Sequence, residues 1–307
     1  KIIQMILDPF DVKQIHMNYY EKDTPSKTSV SVGNRAIYIS ATDTIVAYAR
    51  NVASDGTNSD QFSLIPQNLL GSNYMVAGIP ATDQYNSQFI IVPTADETSV
   101  NVNGPNVAIN NLMLSKYQTL VISEQNLTSG MTISASTPIA VISDVVPLNG
   151  KKHAATMSIP VQSWGSEFLL LSMNPDQPDN FQILANSDNT TVNITTANQE
   201  TVQVTLNARQ VYSFVGTSAA VQSSGEISTV QTVSGGVSEP MAIMNVPPSY
   251  ATITLSMNSP MDFGFALQNM TGIQSTGHNL RLVALTSAAP YACICIGYAS
   301  SSVCLTI

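Results

Sequence analysis

The chain uses one stretch of sequence twice at a near-constant offset, and this limits what it can fold into more than any other property. Ile65-Pro66 followed by Leu70-Gly71-Ser72-Asn73-Tyr74 recurs as Ile159-Pro160 followed by Trp164-Gly165-Ser166-Glu167-Phe168, placing Gly71 and Gly165 94 residues apart. The run from Phe89 to Val102 is echoed without a gap 92 residues later by Phe181 to Ile194, so Asp96 and Thr98 recur as Asp188 and Thr190. Leu114 and Gln118 keep that offset to Leu206 and Gln210. A third element, Ile133 to Val141 with Pro138, is matched to Leu255 to Phe263 with Pro260, and a Pro-less version spans Ile39 to Ala47. Self-similarity at a fixed offset marks a duplicated structural unit.

The repeated unit reads as β structure. Thr190-Thr191-Val192-Asn193-Ile194 alternates polar and apolar residues, and Ala36-Ile37-Tyr38-Ile39 is β-branched or aromatic. Clusters of Gly, Asn, Asp and Ser break the runs about every ten residues, the spacing of a sandwich. The Asp-x-Thr-x-Val motif predicts a hairpin in which Asp96 and Asp188 turn the chain through side-chain bonds to backbone N–H groups. Thr98 and Thr190 then enter the return strand. The Ser-x-x-Pro motif predicts a turn whose Pro138 or Pro260 starts an edge-proximal strand. Gly71 and Gly165 predict either a positive φ or a close backbone approach. The expected fold is all-β: two tandem antiparallel β-sandwich domains, 28–157 and 158–307, preceded by an arm, 1–27.

Only 10% of the 307 residues are charged, the net charge is −9, and 44% are hydrophobic. An ordinary soluble domain carries about 25% charge. Uncharged amides and hydroxyls fill the deficit, as in secreted β proteins. The 11 basic residues are scattered apart from Lys151-Lys152, which excludes a nucleic-acid face built on clustered cations. The apolar stretch Leu282 to Ala299 is broken by Pro290 and predicts no membrane-spanning helix. The chain opens at Lys1 with no visible signal peptide and reads as mature or trimmed. Sequons at Asn126, Asn189, Asn193 and Asn269 are candidate glycosylation sites.

Three cysteines crowd the C-terminal end. The preferred reading is a Cys295–Cys304 disulfide across a hairpin turning at Ala299 to Ser302. Cys293 is then left over, buried or bonded to another chain, and three buried free thiols are the alternative. Zinc is set aside on the reading that Cys293 and Cys295 face apart.

Catalytic patterns are missing. His16, His153 and His278 form no metal or base motif, and no nucleophile elbow or phosphate loop occurs. Asp176 and Asp179 with Asn174 and Asn180 offer hard oxygens for Ca2+ in a Pro-rich loop, but a plain solvated turn is the favoured reading. Trp164, the one tryptophan, is either a sugar-stacking platform or a core residue. Its repeat partner Leu70 favours the core. No cofactor is expected. Residues 1–27 are either an ordinary first strand or a strand lent to a neighbouring subunit, which would build a homopolymer.

Three stretches resemble the N-terminal domain family of the IgG Fc-binding proteins. They are Asn126-Leu127-Thr128-Ser129-Gly130-Met131-Thr132-Ile133 through Pro138 to Val141, Ile159-Pro160 through Phe168, and Ser187 to Val192. Ser59-Asp60-Gln61-Phe62 and Leu70 to Tyr74 extend the likeness over roughly residues 30–245. The resemblance implies a secreted or cell-surface β module linked to adhesion and mucosal barriers, with no catalytic residues to carry over. This chain departs from the pattern around Lys152-His153, where the family's acidic neighbours are absent. The leading expectation is an extracellular adhesive or structural, non-enzymatic module whose partners are proteins or glycans. A lectin-like domain ranks second and a glycosidase-like enzyme last.

Overall fold

In the computed structural model, the structure describes residues 3–8, 11–16, 29–52, 59–77, 85–124, 130–147, 154–172, 177–196, 198–234, 240–246, 248, 293–298 and 301–306. Their regular structure is β: β1 (Ser29–Gly33), β2 (Tyr48–Val52), β3 (Ser59–Ser63), β4 (Gly71–Val76), β5 (Tyr85–Pro93), β6 (Thr98–Asn103), β7 (Ala108–Leu114), β8 (Thr119–Glu124), β9 (Met131–Pro147) and β10 (Ala154–Met157). There follow β11 (Gly165–Leu171), β12 (Asp179–Ala185), β13 (Thr190–Thr196), β14 (Thr201–Leu206), β15 (Val211–Gly216), β16 (Ser218–Ser234), β17 (Pro240–Val246), β18 (Cys293–Tyr298) and β19 (Ser301–Thr306). The described residues contain no helix beyond two single 3-10 turns, Gln67–Leu69 and Val161–Ser163.

Two antiparallel sheets carry the fold. The first runs β1-β8-β5-β9-β6-β7, with β4 and β10 also on β9; the second runs β14-β13-β16-β12-β15, with β11 and β17 on β16. Each is organised by one 17-residue strand, β9 or β16. The first half of β9 pairs with β4 and β6, and the second half with β5 and β10. The changeover falls at 135–138, where the β4 register slips from Asn73↔Ser134 to Gly71↔Ile139. Each sheet therefore curls around its own apolar cluster. Phe89, Ile91, Val100, Leu120, Ile133 and Ile139 centre the first, and Phe168, Phe181, Ile183, Val192, Val221 and Ile227 the second.

The duplication holds down to individual hydrogen bonds. Thr98 Oγ1 donates to Ala95 O at 2.8 Å, and Thr190 Oγ1 to Ser187 O at 2.8 Å. Asp96 Oδ1 accepts from Lys116 N and Asp188 Oδ1 from Ala208 N, each at 2.9 Å. Ser136 Oγ and Ser224 Oγ accept from Ser99 N and Thr191 N, again at 2.9 Å. The left-handed residues also recur: Glu97 and Asn189 (φ 51° and 56°), and Tyr117 and Arg209 (φ 64° and 71°).

Several sequence expectations change in detail. Asp96 and Asp188 do bind backbone N–H groups, but 20 residues away, so each ties one turn to the neighbouring turn instead of folding its own. Pro138 does not open a strand. It lies inside β9, at the slip in register where a missing N–H leaves no ladder bond unmade. The counterpart of Ser136 to Ile139 is Ser224-Gly225-Glu226-Ile227, with Glu226 at the proline position, since Pro93↔Ile139 corresponds to Ala185↔Ile227. The match at 255–263, including Pro260, lies outside the described residues. Ile39 to Ala47 does lead into a repeated feature: Tyr48↔Ser63 in β2–β3 has the register of Ile142↔Met157 in β9–β10. Leu64 N–Ala47 O (2.9 Å) and Ser158 N–Val141 O (2.8 Å) close the two hairpins alike.

β18 and β19 form a separate hairpin with Cys295 opposite Cys304 and Cys293 opposite Thr306. Residues two apart on a strand share a face, so Cys293 and Cys295 do not face apart, and the reason for setting zinc aside falls.

Tyr74 tests the first core. Its buried hydroxyl accepts from Gly71 N at 3.1 Å and donates to Ile139 O at 2.6 Å. Its repeat counterpart is the buried Phe168, so a ring without the hydroxyl fits the fold. Tyr74→Phe should cost about 1–3 kcal/mol in urea unfolding, because two buried backbone groups lose their partner. Burial pushes the phenol up to about 12. The folded chain thus keeps a proton that the unfolded chain releases near pH 10, and stability falls as pH rises from about 10 to about 12. Unfolding at pH 8 and pH 11 should show a smaller alkaline loss for the Phe variant; equal losses would exclude this hydroxyl as the cause.

Candidate functional site

Strand pairing gathers amides that are distant in sequence. Glu167 on β11 pairs with Gln222 on β16, Gln222 with Asn193 on β13, and Asn193 with Gln203 on β14. Alternation turns this row outward while its neighbours Phe168, Val221 and Ile194 enter the core. Gln203 Nε2 donates to Asn193 Oδ1 at 2.8 Å, and Thr195 and Thr201 hydroxyls lie 3.0 Å apart beside them. Glu167, Thr191, Asn193, Gln222, Ser223 and Ser224 line an open depression of about 360 Å3, in which Glu167 is the one charge. The first sheet repeats the row as Asn73, Ser134 and Asn101. There the bulged Asn111 (φ 52°) donates its N–H to Asn101 Oδ1 at 2.8 Å. Such surfaces offer paired donors and acceptors for neutral partners.

The turns before β8 and β15 diverge in use. Tyr117 stacks on Tyr38, with ring centroids 5.3 Å apart, and Lys116 Nζ sits 4.8 Å from the Tyr117 centroid. Its hydrogen bond to Tyr117, helped by the charge attraction of the same ring's hydroxyl, raises the Lys116 pKa above the usual lysine value. The equivalent Arg209 instead joins the two sheets. Its Nε donates to Gly130 O at 3.1 Å and an Nη to Asn103 O at 3.2 Å. Beside it a mixed apolar seam contains Met75 and Ala77 of one sheet region and Trp164, Leu184 and Val230 of the other.

The singled-out residues scatter across this framework. Trp164 is buried in the seam and donates Nε1–H to Ile159 O at 3.2 Å. Gly71 meets a close approach: a Cβ there would come within 2.7 Å of Pro160 Cβ. Gly165 is buried at the start of β11. Asp179 and Asn180 lie in β12, not in a loop, and buried Asp179 accepts from Gln231 Nε2 at 2.6 Å. Asn189 is exposed at its turn, whereas Asn193 belongs to the amide row. His16 is exposed. Asn126, Asn269, His153, His278, Asn174 and Asp176 lie outside the described residues, as do the cysteine side chains. Among the described residues no three His, Cys, Asp or Glu side chains gather, and no helix is long and apolar enough to cross a membrane. Sequence reasoning missed Gln222, Gln203, Arg209 and Gly130. Only the alternation Thr191, Asn193, Thr195 hinted at the row.

A family model described as IgGFc binding protein matches residues 60–288, which span the first sheet from β4 and the whole second sheet. The chain belongs to this IgGFc-binding family. No curated protein and no solved structure matches it. The IgGFc-binding family is one of extracellular protein-binding modules and is not a known enzyme family.

The junction is directly testable. Gly130 has φ 92°, and a Cβ there would lie 2.3 Å from Arg209 O. Gly130→Ala should therefore cost at least about 2 kcal/mol, from backbone strain and displacement of the Arg209 turn. Arg209→Ala should cost about 1–3 kcal/mol. Trp164 is the only tryptophan and sits in the seam, so its fluorescence follows opening of the junction directly. Losses that simply add in the double variant would rule out coupling between these positions.

Proposed function

We propose that this chain is an extracellular adhesive or structural module acting through protein–protein contacts. The observation that supports this reading is the outward amide and hydroxyl row, built in the same register on both sheets with Glu167 as the single charge in its depression. A face with so little charge binds mainly by shape and paired hydrogen bonds, and leaves little for salt to screen.

Binding of the immobilised chain to a panel of secreted glycoproteins, with immunoglobulin Fc among them, tests the reading. The strongest binder should change affinity by less than about threefold between low salt and about 0.5 M salt. Gln222→Lys, an exposed change next to Asn193 and across from Glu167, should weaken it by about tenfold, because lysine removes the amide acceptor and a partner must then desolvate a charged pair. Steep salt dependence, or no effect of Gln222→Lys, would move the contact elsewhere.

The same depression supports a second, lectin-like reading, because Glu167, Asn193 and Gln222 offer acceptors and donors suited to sugar hydroxyls. Enzymatic removal of the partner's glycans separates the two: binding that survives favours protein contact, and binding that disappears favours the lectin.

We also propose a Cys295–Cys304 disulfide. Directly opposed residues of an antiparallel pair have Cα atoms about 4.5–5.5 Å apart, inside the range of about 4.4–6.8 Å that a disulfide needs. Non-reducing peptide mapping should recover that pair with Cys293 open to alkylation. A Cys293-containing bridge would refute the assignment.

A further inference from the structure

β8 and β15 are equivalent strands with different surroundings. Ile91↔Leu120 and Phe89↔Ile122 in the first sheet correspond to Ile183↔Tyr212 and Phe181↔Phe214 in the second. β8 has a neighbour on both edges, because β1 pairs along its outer side from Gly33↔Thr119 to Ser29↔Ser123. Among the described residues β15 pairs with β12 alone. The consequence shows in burial. Leu120 and Ile122 are 0% exposed, while Tyr212 and Phe214 are only half-buried. Ser123 is buried, but its counterpart Val215 is 67% exposed. The β15 sequence, Val211-Tyr212-Ser213-Phe214-Val215-Gly216, has no charge, proline or bulge. It therefore lacks the usual devices that keep an open edge from pairing.

The same chain carries an unpaired apolar segment. Residues 3–8 have no regular structure, and Ile3, Met5, Ile6 and Leu7 are all exposed, Ile6 by 85%. Ile3, Met5 and Leu7 alternate as one face of a strand would. On β8, the equivalent edge is filled by another uncharged segment from the early part of the chain, β1, Ser29-Val30-Ser31-Val32-Gly33.

We propose that the outer edge of β15 is the acceptor for the N-terminal arm of a second copy of this chain. Residues 3–7 of one copy add as a strand beside Val211–Gly216 of the next, and Ile3, Met5 and Leu7 cover Tyr212 and Phe214. Donor and acceptor are different surfaces, so the contact is head-to-tail and propagates into an open chain of subunits. This deepens the protein–protein reading above without using its amide row.

The test compares the full chain with one lacking residues 1–16 and with Val215→Lys, by light scattering across a wide concentration range. The full chain should grow beyond one subunit as concentration rises. Both variants should stay single, with Val215→Lys weakening association by about tenfold or more. A peptide of residues 1–16 added to the truncated chain should bind one-to-one and protect the amides of 211–216 from hydrogen exchange. A full chain that remains single at every concentration overturns the proposal, as does continued association of the truncated form or a peptide that protects other amides. A single full chain whose 211–216 amides lose protection on truncation would instead place the arm on its own edge, and also overturns it. Val215→Lys should leave binding through the Gln222 face intact, so failure of assembly and failure of the binding reading are separately visible.

Discussion

Both sheets depend on one strand that hydrogen-bonds on its two sides with different partners along its length. β9 and β16 each run 17 residues. With no helix longer than a single 3-10 turn among the described residues, every buried N–H and C=O of the sheets must find another strand, a turn or a side chain. β9 meets this by serving β4 and β6 with one half and β5 and β10 with the other. The register slip between the halves bends each sheet around its own core, and Ile133 and Ile139 from the two halves of β9 meet in one cluster. Pro138 and Glu226 can hold the same position because the slip asks for no ladder bond from the backbone nitrogen there, and proline has no N–H to give.

The features legible in the sequence are those that local geometry forces onto particular side chains. The Asp-x-Thr turn needs a threonine hydroxyl near its own preceding carbonyl and an aspartate to reach the adjacent turn. Those residues recur at a constant offset and announce the duplication. The register slip in β16 needs no special residue, so Ser224-Gly225-Glu226 looks unlike Ser136-Thr137-Pro138 and escaped notice. Gly130 is required by a left-handed backbone and by the carbonyl of Arg209, 79 residues away; nothing local to it reveals that. The amide row is still less visible. Glu167, Gln222, Asn193 and Gln203 are ordinary exposed polar residues until four strands bring them side by side.

The chain's low charge takes on meaning at these surfaces. Surface ion pairs contribute little to an average domain, and one such pair, Lys13 with Asp11 at 3.3 Å, accompanies the arm. Amides and hydroxyls keep the sheet faces wet while satisfying one another, as Asn193 does with Gln203. Such a face offers contact mainly through paired hydrogen bonds, with little charge for salt to screen.

The Arg209 contact has a mechanical consequence. Its guanidinium bonds carbonyls at the edges of two different strands, Asn103 at the end of β6 and Gly130 just before β9. The apolar seam around Trp164 lies alongside. A force drawing the two halves of the molecule apart loads both bonds and the seam together, and the Gly130 backbone (φ 92°) lies against the Arg209 carbonyl with no room for a side chain. Tension across the joint is therefore shared by two hydrogen bonds and an apolar contact that act in parallel.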